Sequence, residues 1–157
     1  MTIDDDIAFL QRVPTLGLLG HDALRSLAIG AESHQLQTGD ILFSAGDAAE
    51  AGYVVREGSF SLERMKSPHV SEMIAYAGAL LGEFALITHT VRPVTAIALE
   101  PSTVLRIPRT LFLKVLESSP AAAKRLRADL AARAGAAVKD IVDMHGGLSR
   151  DRRAPRD

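Results

Sequence analysis

The sequence predicts a mainly β fold, a double-stranded β-helix or jelly roll with helices flanking it at both ends. Three observations carry this reading. Apolar residues recur at helical spacing before Glu32 and again after Pro108. Between those limits the pattern changes to seven or eight short alternating runs. Those runs are separated by Gly and Gly-Asp turns, as in a sandwich or jelly roll.

Ile3 to Val13 places Ile3, Ile7, Phe9 and Leu10 on one helical face, with Asp4, Asp5 and Asp6 in the first turn where carboxylates suit the helix dipole. Pro14 ends this helix. A second helix runs from about Asp22 to Ile29 on Ala23, Leu24, Leu27 and Ala28, with Asp22 as its N-cap. Strands follow at Gln35 to Gln37, Ile41 to Phe43, Gly52 to Arg56, Ser59 to Met65, Val70 to Tyr76, Val94 to Leu99 and Thr103 to Ile107. In Thr38-Gly39-Asp40 and Ala45-Gly46-Asp47 the glycine supplies positive φ and the aspartate bonds the local backbone. Alternation from Ser59 sends Phe60 and Leu62 inward and Ser61 and Glu63 outward, and Pro68-His69 makes a hairpin tip.

After the last strand, Leu111 to Ser118 is a short helix on Leu111, Phe112, Val115 and Leu116, closed by Pro120. Ala121 to about His145 is a long Ala-rich amphipathic helix with Leu126, Leu130, Ala134, Ala137, Val138, Ile141 and Val142 on one stripe. Twenty-five helical residues extend about 37 Å, so its far end is expected to meet a second copy in a homo-oligomer seam. Gly146-Gly147 stops the helix before a frayed tail. The division expected is a helical segment over residues 1–31, a jelly-roll core over 32–119, a C-terminal helix over 120–145 and a flexible tail over 146–157.

The chain carries no cysteine, which removes disulfides, thiolate nucleophiles, iron–sulfur clusters and Cys-ligated zinc together. The acidic Thr2-Ile3-Asp4-Asp5-Asp6 is unlike a signal peptide, no apolar run approaches a bilayer span, and a cytoplasmic protein is expected. A net charge of −1 offers no general attraction for nucleic acid or anionic membrane, so any anion site must be local. His21, His34, His69, His89 and His145 show no metal-ligand spacing, and no Gly-x-Ser-x-Gly occurs. Neither a metal site nor an enzyme is expected. Lys124, Arg125, Arg127, Arg133 and Lys139 share the last helix with Asp129, Asp140 and Asp143 and read as a solvated face, and no DNA-binding helix-turn-helix is expected in the residues after His145.

The local anion site lies in Gly82-Glu83-Phe84-Ala85-Leu86-Ile87-Thr88-His89-Thr90-Val91-Arg92-Pro93-Val94-Thr95. Gly82 lets the backbone bend and approach a ligand, Glu83 can accept from a hydroxyl, and Ala85 to Thr88 can wind one helical turn whose N–H groups favour an anion. Arg92 returns to the same pocket with a planar fork suited to phosphate. His89 reads as a solvent-facing loop histidine.

This stretch resembles the phosphate-binding cassette of cyclic-nucleotide-binding domains: Gly-Glu, apolar-Ala-apolar, a spacer, Arg, two residues, Thr. The Gly-Asp, Gly-Asp and Val-x-x-Gly stations extend the resemblance over roughly Leu16 to Pro120. It implies a cyclic nucleotide as ligand and no cofactor, with Glu83 on the ribose 2′-hydroxyl, Arg92 on the phosphate, and Gly82, Phe84, Ala85, Pro93, Val94 and Thr95 completing the site. Pro93 departs from the pattern, because the residue usual there gives a backbone N–H to the phosphate and proline has none. Cyclic-GMP-selective relatives place a threonine hydroxyl at that position, so cyclic AMP is expected over cyclic GMP. The resemblance further implies a regulatory sensor whose C-terminal helices move on binding and act on a downstream protein. The competing expectation is a degenerate fold of the same kind, acting as a ligand-free structural or protein-interaction module.

Overall fold

Thr2 starts the first helix through a capping box: its hydroxyl accepts from the Asp5 N–H, and the Asp5 carboxylate accepts from the Thr2 N–H, both at 3.2 Å. Those two hydrogen bonds hold the Asp5 carboxyl below its usual range. The computed structural model describes residues 2–64 and 73–133. Helix α1 (Ile3–Gln11) stops two residues before Val13, earlier than its apolar pattern. The residue before a proline is disfavoured in the α region, so the chain leaves the helix ahead of Pro14. A 3-10 turn at Leu16–Leu18 leads to α2 (His21–Gly30). Its N-cap is Gly20 at φ 90°, not Asp22 as expected from sequence, because the chain enters the helix through a backbone conformation open to glycine. Asp22 lies in the first turn.

Strands β1 (Glu32–Leu36), β2 (Ile41–Phe43), β3 (Ala48–Ala49), β4 (Ala51–Glu57), β5 (Ser59–Glu63), β6 (Met73–Tyr76), β7 (Leu80–Leu81), β8 (Thr90–Val91), β9 (Thr95–Ala98) and β10 (Ser102–Pro108) follow. They pair antiparallel in two four-stranded sheets, β1-β10-β4-β7 and β2-β9-β5-β6, with β3-β8 as a small third. The fold is thus mainly β with flanking helices, as expected. Asp40 and Asp47 close the Gly39 and Gly46 turns by accepting from the Gln37 and Ser44 N–H groups at 2.8 and 3.2 Å. The expected strand ends at Met65 and at 70–72, and the Pro68-His69 tip, lie outside the described residues.

Two apolar cores share the strands β4 and β10. Val54, Leu105 and Ile107 face a helical layer of Leu10, Leu16, Leu24, Leu27 and Phe112. Val55 and Val104 face the space between the sheets with Phe43, Phe60, Ala96 and Ala98. Ser61, expected outward, is buried: it sits on a central strand between Ile74 and Ile97, whose larger side chains on the same face cover it. Leu62 is partly buried and Glu63 exposed.

Helix α3 (Arg109–Ser118) ends one residue before Ser119, and Pro120 begins the next helix. The expectation that Pro120 only closes α3 is corrected: proline forces Ser119 to φ −134° and then serves as a first helical residue, where its missing N–H costs nothing. Helix α4 is helical over 120–133, the last described residues. Its Ala122 and Leu126 are buried in the chain's own helical core with Leu130 packed against it, so this part of the stripe faces inward. The remaining stripe residues, Ala134, Ala137, Val138, Ile141 and Val142, lie outside the described residues. Among the described residues no helix is long and apolar enough to cross a membrane.

Candidate functional site

Gly82 takes φ 79° and ψ 42°, a left-handed conformation that turns the chain out of β7 and into the 3-10 turn Glu83–Leu86. A Cβ here would lie 2.4 Å from Arg92 Nη1 and 3.4 Å from the Ala51 carbonyl, so glycine is required both by φ and by the approach of the guanidinium. The turn begins earlier than the expected Ala85 to Thr88. Three N–H groups of the expected turn are engaged within it: Ala85 donates to Gly82, and Ile87 and Thr88 both donate to Phe84. Ala85 is buried and Phe84 is exposed.

Arg92 is 5% exposed. Its main chain is fixed by the turn after β2, donating to the Asp47 carbonyl and accepting from the Gly46 N–H, each at 2.8 Å. Nη2 donates to the Ala51 carbonyl at 2.8 Å, while Nη1 is buried without a partner. The guanidinium carbon lies 4.3 Å from the centre of the Phe43 ring and 5.4 Å from that of Tyr53. Burial lowers the Arg92 pKa, with Tyr53 opposing that pull, yet a guanidinium this basic stays charged. Among the described residues Arg92 forms no ion pair. A buried cation that has an N–H to spare and no ion-pair partner is suited to an anion.

Beyond Arg92, Pro93 is exposed and brings no N–H. Val94 packs on the barrel core, and the Thr95 hydroxyl accepts from the Ala45 N–H at 2.9 Å. The cassette loop is held from below by Arg109, the first residue of α3. Its Nη1 donates to the Ala49, Ala85 and Thr88 carbonyls at 2.9, 3.2 and 3.1 Å, and its Nη2 lies 3.0 Å from His89 Nδ1. Because the guanidinium has only donors, Nδ1 of His89 is the acceptor. The exposed His89 is therefore tethered by its ring.

Glu83 faces other neighbours. Arg133 on α4 grips its carboxylate with two hydrogen bonds, Nη1 to Oε1 at 2.8 Å and Nη2 to Oε2 at 3.2 Å. Asp129, one turn earlier, steadies Arg133 through Nε at 3.0 Å. The Thr15 hydroxyl also donates to Glu83 Oε2. Thr15 stands at φ 75°, among the described residues the one non-glycine with positive φ. Burial works to raise the Glu83 pKa, but the hydrogen bonds from Arg133 and Thr15 outweigh it and hold the carboxyl below its usual value. Arg133 is raised in turn, first by Glu83.

Gly82 and Arg92 thus meet, while Glu83 is joined to the turn after α1 through Thr15 and to α4 through Arg133. Reading the last helix's basic residues as a solvated face missed two of them. Arg133 reaches Glu83, and Arg125 donates to the Leu18 and Leu19 carbonyls at 2.6 and 3.0 Å. Thr15, Phe43, Tyr53 and Arg109 carried no local motif, and only their contacts reveal them. Among the described residues no group of three or more His, Cys, Asp or Glu is placed to hold a metal.

Comparison with known proteins supplies the context. A family model described as "Cyclic nucleotide-binding domain" matches residues 33–119. A cyclic nucleotide-binding-like protein from Brucella abortus is 36% identical with a TM-score of 0.65, over 73% of this chain and 99% of that one. The N-terminal domain of a transcriptional regulator from Streptomyces coelicolor is 27% identical with a TM-score of 0.76, over 85% of this chain and 94% of that one. A lysophospholipase of Chaetomium globosum is 30% identical over 114 residues, which are 71% of this chain and only 8% of the fungal protein.

Proposed function

The chain belongs to the cyclic nucleotide-binding domain family, and from that premise we propose that it is a sensor that binds a cyclic nucleotide monophosphate, favours cyclic AMP, and relays binding through its C-terminal helix. It is a regulatory binding domain, and on this reading it acts without catalysing a reaction. The observation that carries the proposal is Arg92, a guanidinium 5% exposed with Nη1 unpaired. Leaving such a group without a partner costs folding free energy, and an exocyclic phosphate seated beside Gly82 satisfies it.

The preference for cyclic AMP rests on Pro93, which has neither a hydroxyl for guanine nor an N–H for phosphate. Pro93→Thr is expected to shift the ratio of affinities toward cyclic GMP in competition titrations; a ratio that does not move refutes this basis. The relay rests on the Glu83–Arg133 pair. A ribose hydroxyl that takes Glu83 competes with Arg133, and α4 then loses its hold on the cassette. A thermal-shift titration tests the main reading. Cyclic AMP at a thousandfold excess over its dissociation constant stabilises the protein by about 4 kcal/mol, and no shift at millimolar ligand rejects the sensor.

The engagement of Glu83 with Arg133 and Thr15 also favours a second reading. If that pair is permanent, the domain is a ligand-free interaction module, and the same titration separates the two.

A further inference from the structure

Arg92 lies in a seat made by two aromatic rings, and we propose that Phe43 and Tyr53 are positioning residues of the anion site, which keep its guanidinium buried and charged without neutralising it. The inference rests on the nucleotide reading and goes one step further, naming what prepares the clamp. A buried guanidinium is ordinarily matched by a carboxylate, but a carboxylate here would cancel the charge that an anionic ligand needs and would take the free N–H group. The face of an aromatic ring attracts a cation through its quadrupole and offers no lone pair in return. Arg92 has two such rings, at 4.3 Å and 5.4 Å from its guanidinium carbon, themselves 5.8 Å apart and inclined at 32°.

The backbone sets this arrangement. Phe43 ends β2 in one sheet and Tyr53 lies on β4 in the other, so the guanidinium is inserted where the two sheets face each other. The Gly46 turn that follows Phe43 also holds the Arg92 main chain through two hydrogen bonds of 2.8 Å. One turn therefore fixes ring and cation relative to each other. The Ala51 carbonyl takes Nη2, the close approach of Gly82 borders Nη1, and the rings fill the sides, which leaves Nη1 as the group the ligand must satisfy.

Calorimetry with cyclic AMP on the full chain tests this. Phe43→Leu keeps bulk but removes the π face, and its affinity is expected to fall about 5- to 30-fold. Phe43→Tyr and Tyr53→Phe keep the rings and are expected to stay within about twofold of the unchanged protein. In an Arg92→Ala background Phe43→Leu should add no further loss, since it acts through Arg92. An unchanged affinity in Phe43→Leu, or a full additional loss in that background, overturns the proposal. The seat is also testable without ligand: in NMR spectra of the free protein the Arg92 side-chain protons should be shifted upfield by the rings, and ordinary arginine shifts overturn it even if the variants fail to fold. A protein that binds no cyclic AMP but shows the upfield shifts refutes the nucleotide reading and leaves the seat standing.

Discussion

Arg92 is buried with an N–H group to spare, whereas both oxygens of Glu83 are engaged. The two residues should therefore respond to substitution in opposite ways. Arg92→Ala removes a charge-assisted contact worth about 1.5 to 3 kcal/mol, so cyclic AMP affinity should fall roughly ten- to a hundredfold; unchanged calorimetry rejects the assignment. Arg92→Met should weaken the same binding to a similar degree yet raise the melting temperature of the free protein, because a buried cation with one unsatisfied N–H group gives way to an apolar chain of similar length. Glu83 carries a pH signature. Its carboxyl is held below the ordinary value in the folded chain, so its ion pair stabilises fully above that value and is lost as pH falls through the lower folded one. The difference in melting temperature between the unchanged protein and Glu83→Gln should stay flat from neutral pH down to about 5 and shrink in stronger acid. A difference that grows in acid contradicts the pairing.

Helix α4 brings these residues under one element. Arg125 fastens its start to the Leu18 and Leu19 carbonyls, Leu126 is 3% exposed in the core, and Arg133 fastens the described end to Glu83. Leu126→Ala should cost about 2 to 5 kcal/mol in denaturant unfolding, the range for a buried leucine replaced by alanine; a loss well under 1 kcal/mol would mean that α4 is not docked in solution. Arg133→Ala should instead cost only about as much stability as Glu83→Gln does at neutral pH, while tightening cyclic AMP binding severalfold, since it frees the Glu83 carboxylate. Periodicity made most elements legible: α1, α2, α3 and the strands β4, β9 and β10 follow patterns of apolar residues that depend only on near neighbours. What stayed hidden depends on distance. The two-residue strands β3, β7 and β8 have no pattern to read, and Gly20 displaced Asp22 as a cap because the approach of the chain, not the side chain, decided it. The cassette was legible through its spacing, but Arg133 stands fifty positions from Glu83 and Thr15 sixty-eight on the other side, separations at which no local signal survives.

At the scale of the molecule, helical layer and barrel are joined rather than merely adjacent. The sequence division into segments does not express this, because Val54 and Val55 are neighbours in the chain and both are fully buried, one toward the helices and one toward the barrel. Both sides of β4 and β10 therefore lose apolar cover only if both layers come apart. Proton traffic follows from this. The amides of β4 and β10 cannot reach solvent by local fraying, so in deuterated water they should exchange last, at one common rate set by global opening, while those of β8 exchange early. A ligand bound at Arg92 would then slow the clock of β4 and β10 by the full factor of its binding.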